Sequence, residues 1–259
     1  MNKNSSTYII IYATVMVVVV AAVLAIAAMV LQPIQNANVE VEKKGDVLAS
    51  VGLGQEADKA KDKTAYINAE YEKYIADAFL VNVKGDRIEG NAFEKLINLK
   101  TEYDKPAEQR ELPVFVSEAD GKRLYIIPVW GSGLWGAVWG YVALEGDWAT
   151  VSGVVFDHAG ETPGLGAEIT GAKFTSQFVG KKLFRGNDLV GITVLKGSGS
   201  SRGNDWAVDA ISGGTITSRA VEHMILACMQ DYKAYIDKQR AAAAAPGKEN
   251  TENTEENEG

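Results

Sequence analysis

An uninterrupted apolar stretch lies near the beginning of the chain. Residues 8–31 contain no charged side chain. A helix of that length would reach about 36 Å, and the hydrocarbon core of a bilayer is roughly 30 Å thick. The apolar part of a cleaved signal peptide, the alternative, is shorter, about 7–15 residues. The pattern therefore predicts an uncleaved transmembrane helix at 8–31, after a stub at 1–7 and before a polar linker at 32–60.

Two different periodicities follow in the rest of the chain. Apolar residues recur every three or four positions over 62–79, which predicts a helix, and the same spacing over 217–240 predicts the longest helix of this part. Between these helices, short runs rich in β-branched and aromatic residues are separated by turn residues, which predicts strands. The strands are expected at 112–117, 123–130, 137–144, 150–158 and 189–195, with a short extended piece at 206–211. A further short helix is predicted at 168–178.

This order of elements indicates an α+β fold class, with one N-terminal transmembrane helix followed by a mixed α/β domain at 61–240. An alanine run and then a segment rich in Asn, Thr and Glu make up residues 241–259. Such a composition cannot bury a core, so a disordered acidic tail is predicted there.

Charge and composition exclude several classes of function. The net charge of −8 argues against a nucleic-acid partner. A single cysteine, Cys228, excludes a disulfide framework and an iron–sulfur cluster held by this chain alone. The sequence has only two histidines, His158 and His223, so no metal site is predicted. No catalytic side chain is assigned either.

Glycine and tryptophan are concentrated in one part of the domain. Residues 121–215 contain 19 of the 26 glycines and all five tryptophans. Glycine lets a backbone approach a ligand closely, and tryptophan supplies a flat apolar surface. The composition therefore suggests a pocket for a flat, phosphorylated ligand, although a β-rich domain with many turns would show the same enrichment.

Two familiar motifs occur in the wrong structural context. Residues 131–136, Gly-Ser-Gly-Leu-Trp-Gly, match the dinucleotide-binding fingerprint, but the following residues favour a strand and the fingerprint needs a helix. Residues 199–203, Gly-Ser-Ser-Arg-Gly, match the nucleophile elbow of hydrolases, but no helix is predicted before residue 217. Neither function is therefore predicted.

The start of the last long helix is a candidate anion site. Ser212, Gly213, Gly214 and Thr215 lead directly into it. A helix start carries unpaired backbone N–H groups and a positive partial charge, and the two glycines leave room for a bulky group. Ordinary N-capping by Thr217 or by the serine that follows it is the alternative that the residues leave open.

This segment resembles the flavinylation motif Ser-Gly-Ala-Thr-x-Thr of the FMN-binding family, with Gly214 in place of the usual alanine. Residues 160–166, Gly-Glu-Thr-Pro-Gly-Leu-Gly, resemble the family's loop beside the flavin. Residues 133–136, Gly-Leu-Trp-Gly, are similar to a third segment of the family. Together with the membrane helix, this ordered set resembles the family of C subunits of Na⁺-translocating NADH:quinone reductases over most of residues 1–240.

The resemblance implies a cofactor, FMN, joined to Thr215 through a phosphodiester that a flavin transferase forms from FAD. The other residues expected at the flavin are Ser212, Gly213, Gly214, Thr162, Gly164, Leu165, Gly166, Leu134 and Trp135. A Gly in place of the usual Ala at 214 loses only a methyl group, so modification is still expected. The FMN-binding domain at 61–240 would then be extracytoplasmic (periplasmic).

The same resemblance implies an electron carrier within a reductase of six subunits in the cell inner membrane. This chain would contact membrane lipid through its single transmembrane helix and would pass electrons towards quinone. Lysine counts on the two sides of the helix are too similar to fix the orientation independently. Two alternatives remain open at this stage. One is the G subunit of the related ferredoxin:NAD⁺ oxidoreductase complex, and the other is a membrane-anchored flavin-binding or sensor module without redox turnover.

Overall fold

The computed structural model describes residues 6–244 of the chain, with side chains described as far as residue 243. Its helices are α1 (Ser6–Ser50), α2 (Lys63–Tyr74), α3 (Ala92–Ile97), α4 (Leu99–Tyr103), α5 (Ala172–Thr175) and α6 (Thr215–Ala244). Its first strands are β1 (Ile75–Val81), β2 (Arg87–Ile88), β3 (Leu112–Ala119), β4 (Lys122–Ser132), β5 (Ala137–Leu144) and β6 (Val151–His158). Four short strands follow, β7 (Phe184–Arg185), β8 (Asp188–Leu189), β9 (Thr193–Leu195) and β10 (Ala207–Asp209).

A six-stranded antiparallel sheet in the order β2-β1-β3-β4-β5-β6 forms the centre of the domain. One face packs on α6, where Ile127 and Ile225 belong to the same buried cluster. The other face packs on α3 and on the end of α1, where Phe115 and Tyr141 lie in one cluster with Val47. Because both faces are covered, strands β4 and β5 are apolar along most of their length.

Helix α1 agrees with the predicted transmembrane helix in its first half and departs from the predicted linker in its second. It is long and apolar enough to cross a membrane, and the side chains of its apolar half lie exposed on the protein. It then continues to Ser50, so the linker predicted at 32–60 is replaced by helix over residues 32–50.

The end of α1 is part of the domain. Val47 and Leu48 are fully buried, and the Ser50 hydroxyl donates to the Val47 carbonyl at 2.7 Å. Gly153 of β6 lies directly beneath this end, and a side chain at that position would collide with the Ser50 carbonyl oxygen. The charged residues at 43, 44 and 46 are partly buried against the domain, so the segment whose composition suggested a linker is a docked helix.

Two other predicted helices have different boundaries. The helix predicted at 62–79 ends at Tyr74, and the chain enters β1, which pairs with β3 along its length. Leu80 and Val81 are buried on opposite faces of the sheet, so strand pairing prevails over the local helical spacing. The helix predicted at 168–178 is divided by Gly171 into a 3₁₀ turn, the short α5 and a second 3₁₀ turn.

The predicted helix at 217–240 is α6, which begins two residues earlier and ends four residues later. Residues 241–244 therefore belong to a helix and not to the predicted tail. The rest of that tail, residues 245–259, lies outside the described residues, as do residues 1–5 of the predicted stub.

Candidate functional site

An open groove of about 180 Å³ lies where three segments of the chain meet. The first segment is the connection from β4 to β5, the second is the loop after β6, and the third is the start of α6. The groove is lined by Leu134, Trp135, Glu161, Thr162, Leu165, Gly166, Gly213, Gly214, Thr215, Ile216 and Thr217. The three motifs that resembled the FMN-binding family are thus adjacent in space, although they are far apart in sequence.

Two of the predicted site residues lie beside the groove and do not line it. Ser212 is exposed in the turn that precedes α6. Gly164 is at the tip of the loop after β6, with a φ of 75° and open space where a side chain would be. That conformation favours glycine. Ile216, which sequence reasoning did not single out, is a lining residue and 63% exposed.

Thr215 is the first residue of α6, and a tight turn holds it there. The Gly214 N–H donates to the Ile211 carbonyl at 3.0 Å, and the Ser218 N–H donates to the Gly214 carbonyl at 2.9 Å. The Ser218 hydroxyl completes the turn, because it donates to the Gly214 carbonyl and accepts from the Ile211 N–H. Thr217 and Ser218 therefore lie within the first turn, and neither acts as the N-cap that the sequence left open.

The two glycines before Thr215 allow close contact with the neighbouring loop. Gly213 has a φ of 75°, and a Cβ there would lie 2.5 Å from the Leu165 Cδ2. A Cβ on Gly214 would lie 2.8 Å from the Leu165 carbonyl oxygen. The alanine that is usual in the flavinylation motif would therefore require this loop to shift, so Gly214 is matched to the position of Leu165 in this chain.

Glu161 joins all three segments and was not predicted as a site residue. Its side chain is only 4% exposed. One carboxylate oxygen accepts from the Trp135 backbone N–H at 2.8 Å, and the other accepts from the Thr217 hydroxyl at 2.6 Å. Burial alone would raise the pKa of Glu161, but the hydrogen bonds from Thr217 and the Trp135 backbone hold that pKa below its ordinary value. The group is therefore an ionised carboxylate at neutral pH.

The rim of the groove is apolar and exposed. Trp135 is 71% exposed, and Leu134, Leu165 and Ile216 each keep between 43% and 63% of their surface accessible. Large apolar side chains gathered at a groove are typical of a ligand-binding or interaction surface. A flat apolar ring fits this rim, and a phosphate fits the N–H groups at the start of α6, so the residues present suit FMN.

The two motifs that were set aside have structural roles. The Gly-rich stretch at 131–136 ends β4 and leads into β5, so no helix follows it. In the elbow-like loop, Asp209 accepts the backbone N–H groups of Gly199 and Ser201 and thereby holds the loop closed. The Asp209 carboxylate therefore stabilises the neighbouring loop through hydrogen bonds to its backbone.

The fold and the groove together define an FMN-binding domain carried on one long apolar helix. The family model described as FMN-binding domain matches residues 133–230, a range that contains every residue lining the groove. The C subunit of the Na⁺-translocating NADH-quinone reductase of Haemophilus ducreyi is 30% identical to this chain over 237 residues, which are 86% of this chain and 89% of that protein. The corresponding protein of Neisseria meningitidis serogroup B is 31% identical over 254 residues, covering 94% and 98% of the two chains.

A solved structure gives the same result. The crystal structure of the C subunit from Parabacteroides distasonis is similar with a TM-score of 0.68 and 35% identity, covering 80% of this chain and 96% of that one. The chain belongs to the family of C subunits of Na⁺-translocating NADH-quinone reductases. The resemblance inferred from the sequence motifs is thereby confirmed.

Proposed function

We propose that this chain carries FMN covalently on Thr215 and relays electrons between partner subunits of a Na⁺-translocating NADH-quinone reductase, towards quinone. The observation that carries the proposal is the position of Thr215, which stands at a helix start, inside a groove rimmed by exposed apolar side chains. Membership of the family supports the assignment of the chain to this complex, and the match to the FMN-binding domain supports FMN as its cofactor.

The attachment is a transfer of the FMN group from FAD, catalysed by a flavin transferase. The Thr215 oxygen forms a new bond to the phosphorus of the FMN half, the pyrophosphate bond to AMP breaks, and the hydroxyl proton is released. The N–H groups of the first turn of α6 would hold the phosphate, because they are unpaired at a helix start and carry positive partial charge.

The groove would keep the flavin at the edge of the protein. When bound, FMN would accept and donate electrons, and the protein would supply binding, orientation and local electrostatics. The flavin ring would lie against the exposed apolar side chains of the rim, Leu134, Trp135, Leu165 and Ile216. Its other face would then be open to a partner subunit. Such an arrangement suits a relay, in which the cofactor must approach donors and acceptors in other chains.

Reduction of the bound flavin by NADH in the assembled complex tests this function. The complex should be purified from its native membrane through an affinity tag on this chain. The fluorescent flavin should remain on this chain in a denaturing gel, and it should be reduced by NADH and reoxidised by quinone. A flavin that binds but stays oxidised when NADH is added would instead support a sensor module, and a chain without covalent flavin would contradict the proposal.

We further propose that α1 anchors the chain in the cell inner membrane with the domain on the periplasmic side. Trypsin added to intact spheroplasts should then cut the loop that contains the exposed residues Lys196 and Arg202. Inside-out vesicles, in which the domain would be enclosed, should protect the same loop. The reverse pattern of cleavage would place the domain in the cytoplasm.

A further inference from the structure

Glu161 occupies a space that two glycines leave free. A Cβ on Gly133 would lie 2.5 Å from one carboxylate oxygen of Glu161, and a Cβ on Gly166 would lie 2.5 Å from the other. A Cβ on Gly166 would also collide with the Thr217 hydroxyl oxygen. The carboxylate is therefore enclosed by backbone on both sides, and its two acceptor positions are directed at Trp135 and Thr217.

The bond between Glu161 and Thr217 ties the first turn of α6 to the loop after β6. Successive residues of an α-helix are about 100° apart, so residues 215 and 217 point about 200° apart. Thr217 is 2% exposed and turned inward to the carboxylate, whereas Thr215 is only half-buried. Holding Thr217 inward therefore keeps Thr215 on the more accessible side of the first turn, where a transferase could reach it.

The same carboxylate also holds a second of the three segments that form the walls of the groove. The Trp135 backbone N–H that it accepts belongs to the connection between β4 and β5, which presents Leu134 and Trp135 to the groove. Glu161 itself is held by its own loop, because its backbone N–H donates to the His158 Nδ1 at 3.2 Å. One buried side chain thus sets the positions of all three walls.

We propose that Glu161 is a positioning residue for flavin attachment: through Thr217 it orients the Thr215 hydroxyl, and through the Trp135 backbone it holds the apolar wall. This inference rests on the proposed attachment at Thr215. It gives the two threonines of the motif different roles. Thr217 donates a hydrogen bond to Glu161, whereas Thr215 receives the FMN group.

The test is the steady-state kinetics of flavinylation of the full chain by a flavin transferase with FAD, followed as fluorescent product on denaturing gels. Thr217→Val keeps the shape of the side chain and removes the donor, and Glu161→Gln leaves one of the two bonds without a correct partner. Both should lower kcat roughly 10- to 100-fold, the effect expected of a displaced reacting group. The KM for the chain should stay unchanged in Thr217→Val, because the bond from the Trp135 backbone to Glu161 and the wall that it holds are intact.

Two matched pairs separate positioning from a general loss of structure. Thr217→Ser restores the hydroxyl and should restore kcat, and Glu102→Gln alters another buried glutamate, bound by Lys95 and Lys105, and should leave kcat unchanged. Gly166→Ala should slow loading by displacing the carboxylate and the Thr217 hydroxyl. Gly160→Ala, in the same loop but with open space at its Cβ, should not.

Wild-type kcat in Thr217→Val, Glu161→Gln and Gly166→Ala would overturn the inference. It would equally be overturned if Thr217→Ser failed to rescue loading, or if Glu102→Gln slowed it to the same extent. If the wild-type chain itself took up no covalent flavin at Thr215, the proposed function would be wrong, and the inference with it.

Discussion

A chain carrying Thr215→Val should contain no covalent flavin, and a complex assembled with it should not transfer electrons from NADH to quinone. Valine has the shape of threonine but lacks the oxygen that would bond to phosphorus. The substitution should leave the fold intact, because Thr215 is half-buried at a helix start and the two residues have similar helix propensities. Fluorescence of the band on a denaturing gel measures attachment, and thermal unfolding measures the fold.

Two controls make this result specific. Thr215→Ser retains a hydroxyl and should still be loaded, although the transfer rate can differ. Thr193→Val removes a hydroxyl from another exposed threonine, on β9, and should leave flavin content unchanged. A fluorescent band from Thr215→Val at wild-type intensity would show that the flavin is attached to another residue.

Removing the docked end of α1 should destabilise the domain substantially. A soluble form that begins at residue 36 keeps Val47 and Leu48, whereas one that begins at residue 52 loses both of these fully buried side chains. At roughly 1.5–3 kcal/mol for each buried aliphatic side chain, the shorter form should lose about 3–6 kcal/mol of unfolding free energy. Such a loss is a large share of the roughly 5–15 kcal/mol typical of a domain. Urea unfolding followed by tryptophan fluorescence measures the difference.

A pair of point variants in the longer form checks the cause. Leu48→Ala creates a cavity in the core and should cost about 2–5 kcal/mol. Ala49→Ser changes the exposed neighbour in the same helical turn and should change the stability by less than about 0.5 kcal/mol. Equal stabilities for the two soluble forms would mean that residues 36–51 are the linker that their composition suggested.

Sequence patterns were most informative where one local signal determined the structure. The apolar stretch of α1 and the periodicity of α6 could be read directly, because each extends over several helical turns. The docked end of α1 could not be predicted, since its charged residues outnumber Val47 and Leu48, and only the fold shows which side faces the domain. The change from helix to strand at Ile75 was missed because no Gly or Pro marks it, and pairing with β3 decides it.

The candidate site likewise combines residues that a local motif predicts with a residue whose role depends on distant parts of the chain. Thr215 and the glycines before it form a local motif with a physical reason, the helix start, so the sequence predicted them. Glu161 lay within a recognised loop, yet its role depends on Thr217, which is 56 residues away in the chain. The available signal was a glutamate directly after Gly160 in a loop of the flavin motif, where a carboxylate that becomes buried needs hydrogen-bond donors.

The order in which the walls of the groove occur along the chain has a consequence for biogenesis. Two walls are synthesised by residue 166, but the third is the start of α6, the last helix that the structure describes. Folding generally proceeds from the N-terminal side during synthesis, so the acceptor threonine would acquire its surroundings only when α6 packs on the finished sheet. Covalent flavin on this chain would therefore report that the domain has completed folding, and an incompletely folded copy would remain colourless and distinguishable.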